Sequence, residues 1–263
     1  MGLDLGRYVP GNGWFHRLDP RGKILGLFLY GLSLLLVPEP VHLLALGVLS
    51  LIGWALAGLP WRHLWAQLGP LWFFLLVVLA MQATFTPGTP MVEIGPLSLT
   101  WEGLHLGLIA TGRVIFLLAG AALLTATTTP LSLTQGLQSL LRPAARLRLP
   151  VEELTLMLTL ALRFVPTLAE EAERIMRAQA ARGFSLERRG LLRQGKNLLP
   201  LLIPLFVSTL KRAEDLAQAM EARGYQGGKK RTLRRQLKMA GIDYLFVALN
   251  VLVLGLAAVW HWR

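Results

Sequence analysis

Apolar residues along this chain come in long runs separated by short polar or proline-marked breaks. Ile24 to Val37 is closed by Pro-Glu-Pro, Val41 to Leu59 follows at once, Leu71 to Phe85 comes next, a run from about Leu104 to Ala126 makes a fourth, and Ile242 to Trp260 a fifth. A helix perpendicular to a bilayer needs about 20 apolar residues, so the shorter runs must draw on their flanks. The pattern predicts an all-α, polytopic membrane protein with about five transmembrane helices.

Two further apolar runs, Leu154 to Val165 and Leu198 to Leu210, test that count. If both crossed, Glu170 to Lys196 would be exported together with Arg174, Arg177, Arg182, Arg188, Arg189, Arg193 and Lys196, against the retention of basic loops in the cytoplasm. They are read instead as helices lying against the inner ends of the bundle and broken by Pro166, Pro200 and Pro204. The other loops agree on an orientation. The N-terminal segment carries Arg7, Arg17, Arg21 and Lys23, and a turn at Trp61 to Leu68 carries Arg62, whereas Pro38 to Pro40 and Thr86 to Gly103 hold no Lys or Arg. This puts the N-terminus in the cytoplasm and the C-terminus outside.

Composition supports the membrane reading. Hydrophobic residues make up 54% and charged ones 16%, with a mean hydropathy of +0.51, too apolar for a soluble domain of this length. The absence of cysteine removes any disulfide framework, Cys-based metal site or Cys nucleophile. No apolar core precedes Ile24 and no small-residue cleavage site follows the first run, so a cleavable signal peptide is not expected. Of the 27 Lys and Arg, 20 fall between Arg142 and Lys238, beside 9 of the 15 acids, so this stretch carries nearly all of the net charge of +12. Nucleic acid is one conceivable partner for such a block, but in a polytopic chain retention on the cytoplasmic side is the simpler explanation.

Three regions follow: residues 1–128 with the N-terminal segment and four spans, 129–238 as a cytoplasmic helical domain, and 239–263 as the last span. The middle region opens with Thr129 as N-cap and Pro130 at the first helical position, and Leu133, Leu137, Leu140 and Leu141 then share a face. A second helix starts after Pro150 with Glu152 and Glu153 in its first turn. Its later half carries a stripe of Leu168, Ala172, Ile175, Met176 and Gln179. A third repeats the design with Leu210, Ala213, Leu216, Ala217 and Met220.

Both amphipathic helices stop at the same word. Ala181-Arg182-Gly183 is followed by Phe184, and 41 residues later Ala222-Arg223-Gly224 is followed by Tyr225. One reading is mundane: arginine complements a helix C-terminus and glycine takes the left-handed position after it. The repetition supports a second reading, two arginine tips that engage two equivalent acidic grooves through the planar guanidinium fork.

In "FHRLDPRGKIL", "TATTTP", "RFVPTLAEEAERIMRAQAARG" and "MEARG" the chain resembles, over essentially its whole length, the transmembrane T component of energy-coupling factor transporters, which includes CbiQ-like subunits of cobalt and nickel uptake systems. Gly22 stands where that family often has threonine. The resemblance implies a non-catalytic coupling subunit in the bacterial plasma membrane. It would carry ATP-driven motion from two cytoplasmic ABC ATPase subunits to one membrane-embedded, substrate-binding S component for vitamin or transition-metal uptake. The docking residues it implies are Ala181, Arg182, Gly183, Ala222, Arg223 and Gly224. ATP and Mg would be bound by the ATPases and no cofactor by this chain, in keeping with the lack of a Gly-x-x-x-x-Gly-Lys-Ser/Thr phosphate loop.

Other candidates are weighed against bland roles. His16, His42, His63, His105 and His261 are scattered without a metal-ligand spacing. Gly103 and Gly107 suit close helix packing. Arg113, within the fourth span, is either an intramembrane functional residue or one that snorkels to the outer interface. "FHRLDPRGK" is read as an interfacial anchor, with Trp14 and Phe15 at headgroup level and Arg17, Arg21 and Lys23 on the anionic leaflet. Two alternatives of other classes stay open: a polytopic membrane enzyme, which would need convergent acids or histidines, and a membrane-anchored nucleic-acid binder using Lys229, Lys230, Arg231, Arg234, Arg235 and Lys238.

Overall fold

The computed structural model describes residues 8–11, 13–37, 39–94, 97–143, 150–182, 191–227 and 239–261. A short helix, α1 (Trp14–Arg17), leads into α2 (Pro20–Leu36). Proline at the first position of α2 has no N–H to satisfy, and Asp19 caps the turn by accepting from the Arg21 N–H at 2.9 Å. Helix α3 (Pro40–Leu56) follows after the Pro-Glu-Pro break.

The expected turn at Trp61 to Leu68 is helical instead. Helix α4 (Trp61–Leu68) passes through a 3₁₀ turn at Gly69–Leu71 into α5 (Trp72–Phe85). Pro60 and Pro70 both sit where an opening turn tolerates the lost donor, so neither interrupts the 25-residue segment Trp61–Phe85. A two-stranded antiparallel hairpin, β1 (Pro90–Ile94) with β2 (Leu97–Thr100), fills what the sequence suggested was plain loop. It hands the chain to α6 (Trp101–Thr127), capped by Thr100 Oγ1 accepting from the Gly103 N–H at 3.1 Å.

Helix α7 (Pro130–Leu141) begins as predicted, with the Ser132 N–H bonded to Thr129 Oγ1 at 3.3 Å. Its buried residues are Thr134 and Gly136, with Gly136 against Pro20 and Ile24, while Leu137 and Leu141 are exposed. Helices α8 (Val151–Ala181) and α9 (Leu191–Ala222) run straight through Pro166, Pro200 and Pro204, which therefore do not break them. The last helix is α10 (Gly241–His261).

Among the described residues, Trp61–Phe85, Trp101–Thr127 and Gly241–Trp260 are long and apolar enough to cross a membrane, and α3 is apolar but has 17 residues. At 1.5 Å per residue such a helix covers about 25 Å of a hydrocarbon core of about 30 Å. The chain is a polytopic, largely helical membrane protein, to which the hairpin is a small addition.

Contacts divide it into two compact units, residues 1–140 with 235–263, and residues 141–234. In the first, Ala119, Ala122, Leu123 and Ala126 of α6 pack with Phe15, Leu18, Trp54 and Ala57, and a second cluster joins Tyr30, Leu34, Leu43, Leu46, Ile109 and Ala257. Small residues on α6 let neighbouring helices approach, which replaces the hydrophobic drive that lipid cannot supply. The same device holds α5 to α6: a Cβ at Gly103 would come within 2.6 Å of the Gln82 carbonyl oxygen, and one at Gly107 within 3.2 Å of that of Leu79.

Candidate functional site

In the second unit α8 and α9 lie side by side. Arg212 Nη2 of α9 donates to Glu171 Oε2 of α8 at 3.1 Å, and Gln179 Nε2 of α8 reaches the Pro200 carbonyl oxygen of α9 at 3.5 Å. One index rises as the other falls, so the helices are antiparallel. The second contact has a local cause. Pro204 has no N–H, which deprives the Pro200 carbonyl of its helical partner four residues on, and the Gln179 amide takes that vacancy.

Along α8, Leu168, Ala172, Ile175 and Gln179 are half-buried as the stripe predicted, with Met176 more exposed. On α9 the stripe is corrected. Leu216 and Met220 are half-buried, but Leu210, Ala213 and Ala217 are exposed and Arg212 is turned inward. Its ion pair with Glu171 rotates the contact face away from the purely apolar one.

The repeated words end these two helices. At α9, Ala222 is the last helical residue, the Gly224 N–H bonds to the Glu221 carbonyl at 2.9 Å and the Tyr225 N–H to that of Met220 at 3.0 Å. Gly224 has φ +77°, a conformation that costs a residue with a Cβ roughly 1–2 kcal/mol. This five-to-two and six-to-one pairing is a glycine-capped helix end. Arg223 occupies the half-in position, its N–H bonded to the Met220 carbonyl at 3.1 Å. Arg182 repeats that offset with its N–H on the Gln179 carbonyl at 3.0 Å. Both arginines are exposed. Gly183 and Phe184 lie outside the described residues, as does the basic run Lys229, Lys230, Arg231, Arg234, Arg235 and Lys238.

Because the helices are antiparallel, the arginines project from opposite ends of the pair. From Pro200, level with Gln179, to Arg223 the axis advances on the order of 35 Å. Between the tips, α8 and α9 expose large apolar residues, among them Met157, Val165, Leu202, Ile203, Phe206 and Val207.

The bundle resolves two other candidates. Arg113 is half-buried and its Nη2 donates to the Val37 carbonyl oxygen, the C-cap of α2. Sequence reasoning could name no partner because the partner is a backbone group rather than an acid.

The anchor reading of "FHRLDPRGK" is corrected for two of its residues. Phe15 is in the core, and Lys23 is not on a leaflet but 4% exposed, its Nζ donating to the Thr127 carbonyl at 3.1 Å and to Thr128 Oγ1 at 3.0 Å. Nearby, Asp243 Oδ1 accepts from the Asp19 N–H and Oδ2 from the Ala240 N–H, each at 2.7 Å. A lysine one turn into the first span and an aspartate opening the last were the legible signal. Their unlike charges fall at the same end of the bundle.

Residues 11–234 match the CbiQ family, described as cobalt transport protein, which sets this bundle among the membrane components of transporters. Its relatives include the energy-coupling factor transporter transmembrane protein EcfT of Heliobacterium modesticaldum, 43% identical over 253 residues that cover 96% of this chain and 94% of that protein. The EcfT of Thermosediminibacter oceani is 39% identical over 261 residues, 96% of each chain, and that of Bacillus subtilis 41% over 240 residues, 91% of each. The chain belongs to this family of energy-coupling factor transporter transmembrane components and is a non-catalytic subunit rather than an enzyme.

Proposed function

We propose that this chain is the coupling subunit of an energy-coupling factor importer in the bacterial plasma membrane, with its N-terminus in the cytoplasm. Two cytoplasmic ABC ATPases bind and hydrolyse Mg-ATP, while this chain holds neither. Arg182 and Arg223 each enter an acidic groove on one ATPase, where the guanidinium fork can grip a carboxylate through two bonds. As the ATPases close on ATP, α8 and α9 move with them, and the motion passes to a membrane-embedded S component that carries the vitamin or transition-metal ion. This subunit carries force, not substrate.

The observation that carries the reading is the pair of exposed arginines at opposite ends of an antiparallel helix pair, far enough apart to address two separate partners. Purification of the complex from its native membrane tests it. Two ATPase subunits should accompany the parent chain and none the Arg182→Glu/Arg223→Glu variant. A double variant that retains both would sink the docking assignment.

A further inference from the structure

The first unit holds a cavity that docking does not use. It measures about 230 Å³ and lies among α2, α3, α6 and α10, with Lys23 and Thr127 at one end and Tyr30 and Ser50 at the other. From Lys23 to Tyr30 the axis of α2 advances about 10 Å, so the space is elongated along the helices.

The polar side chains that line it are spent on the protein itself. The Tyr30 hydroxyl donates to the Leu46 carbonyl at 3.1 Å, the Ser50 hydroxyl to that of Gly47 at 2.8 Å, and Asn250 Nδ2 to that of Phe246 at 2.8 Å. Lys23 Nζ donates to the Thr127 carbonyl and the Thr128 hydroxyl. A buried water needs about two to four polar partners, whereas apolar cavities of about 150 Å³ stay dry and take up apolar molecules. The walls therefore select an apolar occupant.

The mouth says which one. Ile52 and Leu56 of α3 and Leu249 of α10 line the cavity and are about half exposed, at 50%, 53% and 47%. Helix α10 is long and apolar enough to cross the membrane, so a cavity that opens beside it meets acyl chains. The Lys23 end is marked as well. Trp14 lines it and is exposed, and Arg17, one turn further along α1, is exposed too. Tryptophan settles at headgroup level and arginine pairs with phosphate.

We infer that this cavity holds one acyl chain of a membrane phospholipid. The chain enters past Leu56 and Leu249, its terminus points towards Tyr30, and the lipid phosphate lies beside Arg17. The inference is independent of the coupling function proposed above and needs no ATPase for its test.

That test uses the full chain, reconstituted in vesicles of phosphatidylglycerol that carries a diazirine near the end of one acyl chain. After illumination, mass spectrometry of peptides compares label on the cavity wall, at Tyr30 and Leu123, with label on the outer face, at Val48 and Leu252. The wall residues are 6% and 7% exposed and the outer ones 54% and 60%, so surrounding lipid reaches only the second pair. In the parent both should be labelled. Ser50→Leu, which puts a larger side chain into the cavity, should cut wall labelling by about tenfold or more, the weight of a misfitted methylene in an apolar pocket, and leave outer labelling as it was. Diacylglycerol with the same diazirine chain should label the wall less than phosphatidylglycerol does.

Label confined to the outer face of the parent overturns the inference. So does unchanged wall labelling in Ser50→Leu or, should that variant fail to fold, in Leu124→Phe. Equal wall labelling by diacylglycerol and phosphatidylglycerol would overturn the placement of the phosphate beside Arg17.

Discussion

The guanidinium of Arg113 donates to the carbonyl oxygen of Val37, so the one cation inside the fourth span closes the C-terminal end of the first. Arg113 lies about 18 Å along α6 from Trp101. The last carbonyls of a helix lack partners within it, and a cation at the negative end of the α2 dipole both satisfies one and complements that dipole.

Arg113→Leu should therefore destabilise the folded bundle by about 1.5–3 kcal/mol, the worth of a hydrogen bond to a charged group. Thermal unfolding in lipid nanodiscs measures it. Arg113→Lys should lose less, because it keeps the charge and one donor. A leucine variant as stable as the parent but deficient in transport would give Arg113 a direct functional role instead.

For the arginine tips, one lost contact should weaken the complex without dissolving it. A truncated interfacial charge pair costs about 2–5 kcal/mol, yet the second tip keeps its ATPase tethered at high local concentration. Arg182→Glu or Arg223→Glu alone should leave partial co-purification, and the double variant none. Lysine at either position should fall between parent and glutamate, since it retains charge and loses the fork. Pull-down of ATPases across this series supplies the measurement.

Gly103 is predicted to tolerate nothing larger. Its Cβ would meet the carbonyl oxygens of Gln82 and Ala83 at 2.6 and 2.9 Å, and backbone cannot step aside as a side chain can. Gly103→Ala should cost about 1–3 kcal/mol of stability, as overpacking generally does. Equal melting temperatures for variant and parent would show that α5 and α6 are less tightly joined than described.

Reporters test the orientation. A fusion after Lys196 or Lys238 should read as cytoplasmic and one at Gly88 or after Arg263 as external. An external signal at Lys196 would remove α8 and α9 from the ATPase side altogether.

The spans were legible because a bilayer demands uninterrupted apolar runs, and α6 and α10 match theirs within a few residues. What escaped depends on context that a local pattern lacks. Helix α4 looks like a turn in the sequence because Arg62 and its polar neighbours interrupt the apolar runs. Pro166, Pro200 and Pro204 were read as breaks, although a long helix can be held through proline when a neighbour takes the freed carbonyl, as Gln179 does for Pro200. The Asp19 to Asp243 bond spans 224 positions of sequence, beyond any spacing rule. At the α9 tip the helix-stop reading of the repeated word holds, since Gly224 ends the helix, and Arg223 beside it is exposed.

The ion pair between Glu171 and Arg212 spans 41 positions, the same interval that separates Arg182 from Arg223. It therefore sits 11 residues from each arginine, giving two arms of equal length, on the order of 16 Å. A pair turning about that contact would act as a balanced beam. A turn of about 10° about that pivot would swing each end by roughly 3 Å, in opposite senses, on that arm length. Equal arms would give equal leverage to two partners docked at the tips as proposed above, whichever of them moved first.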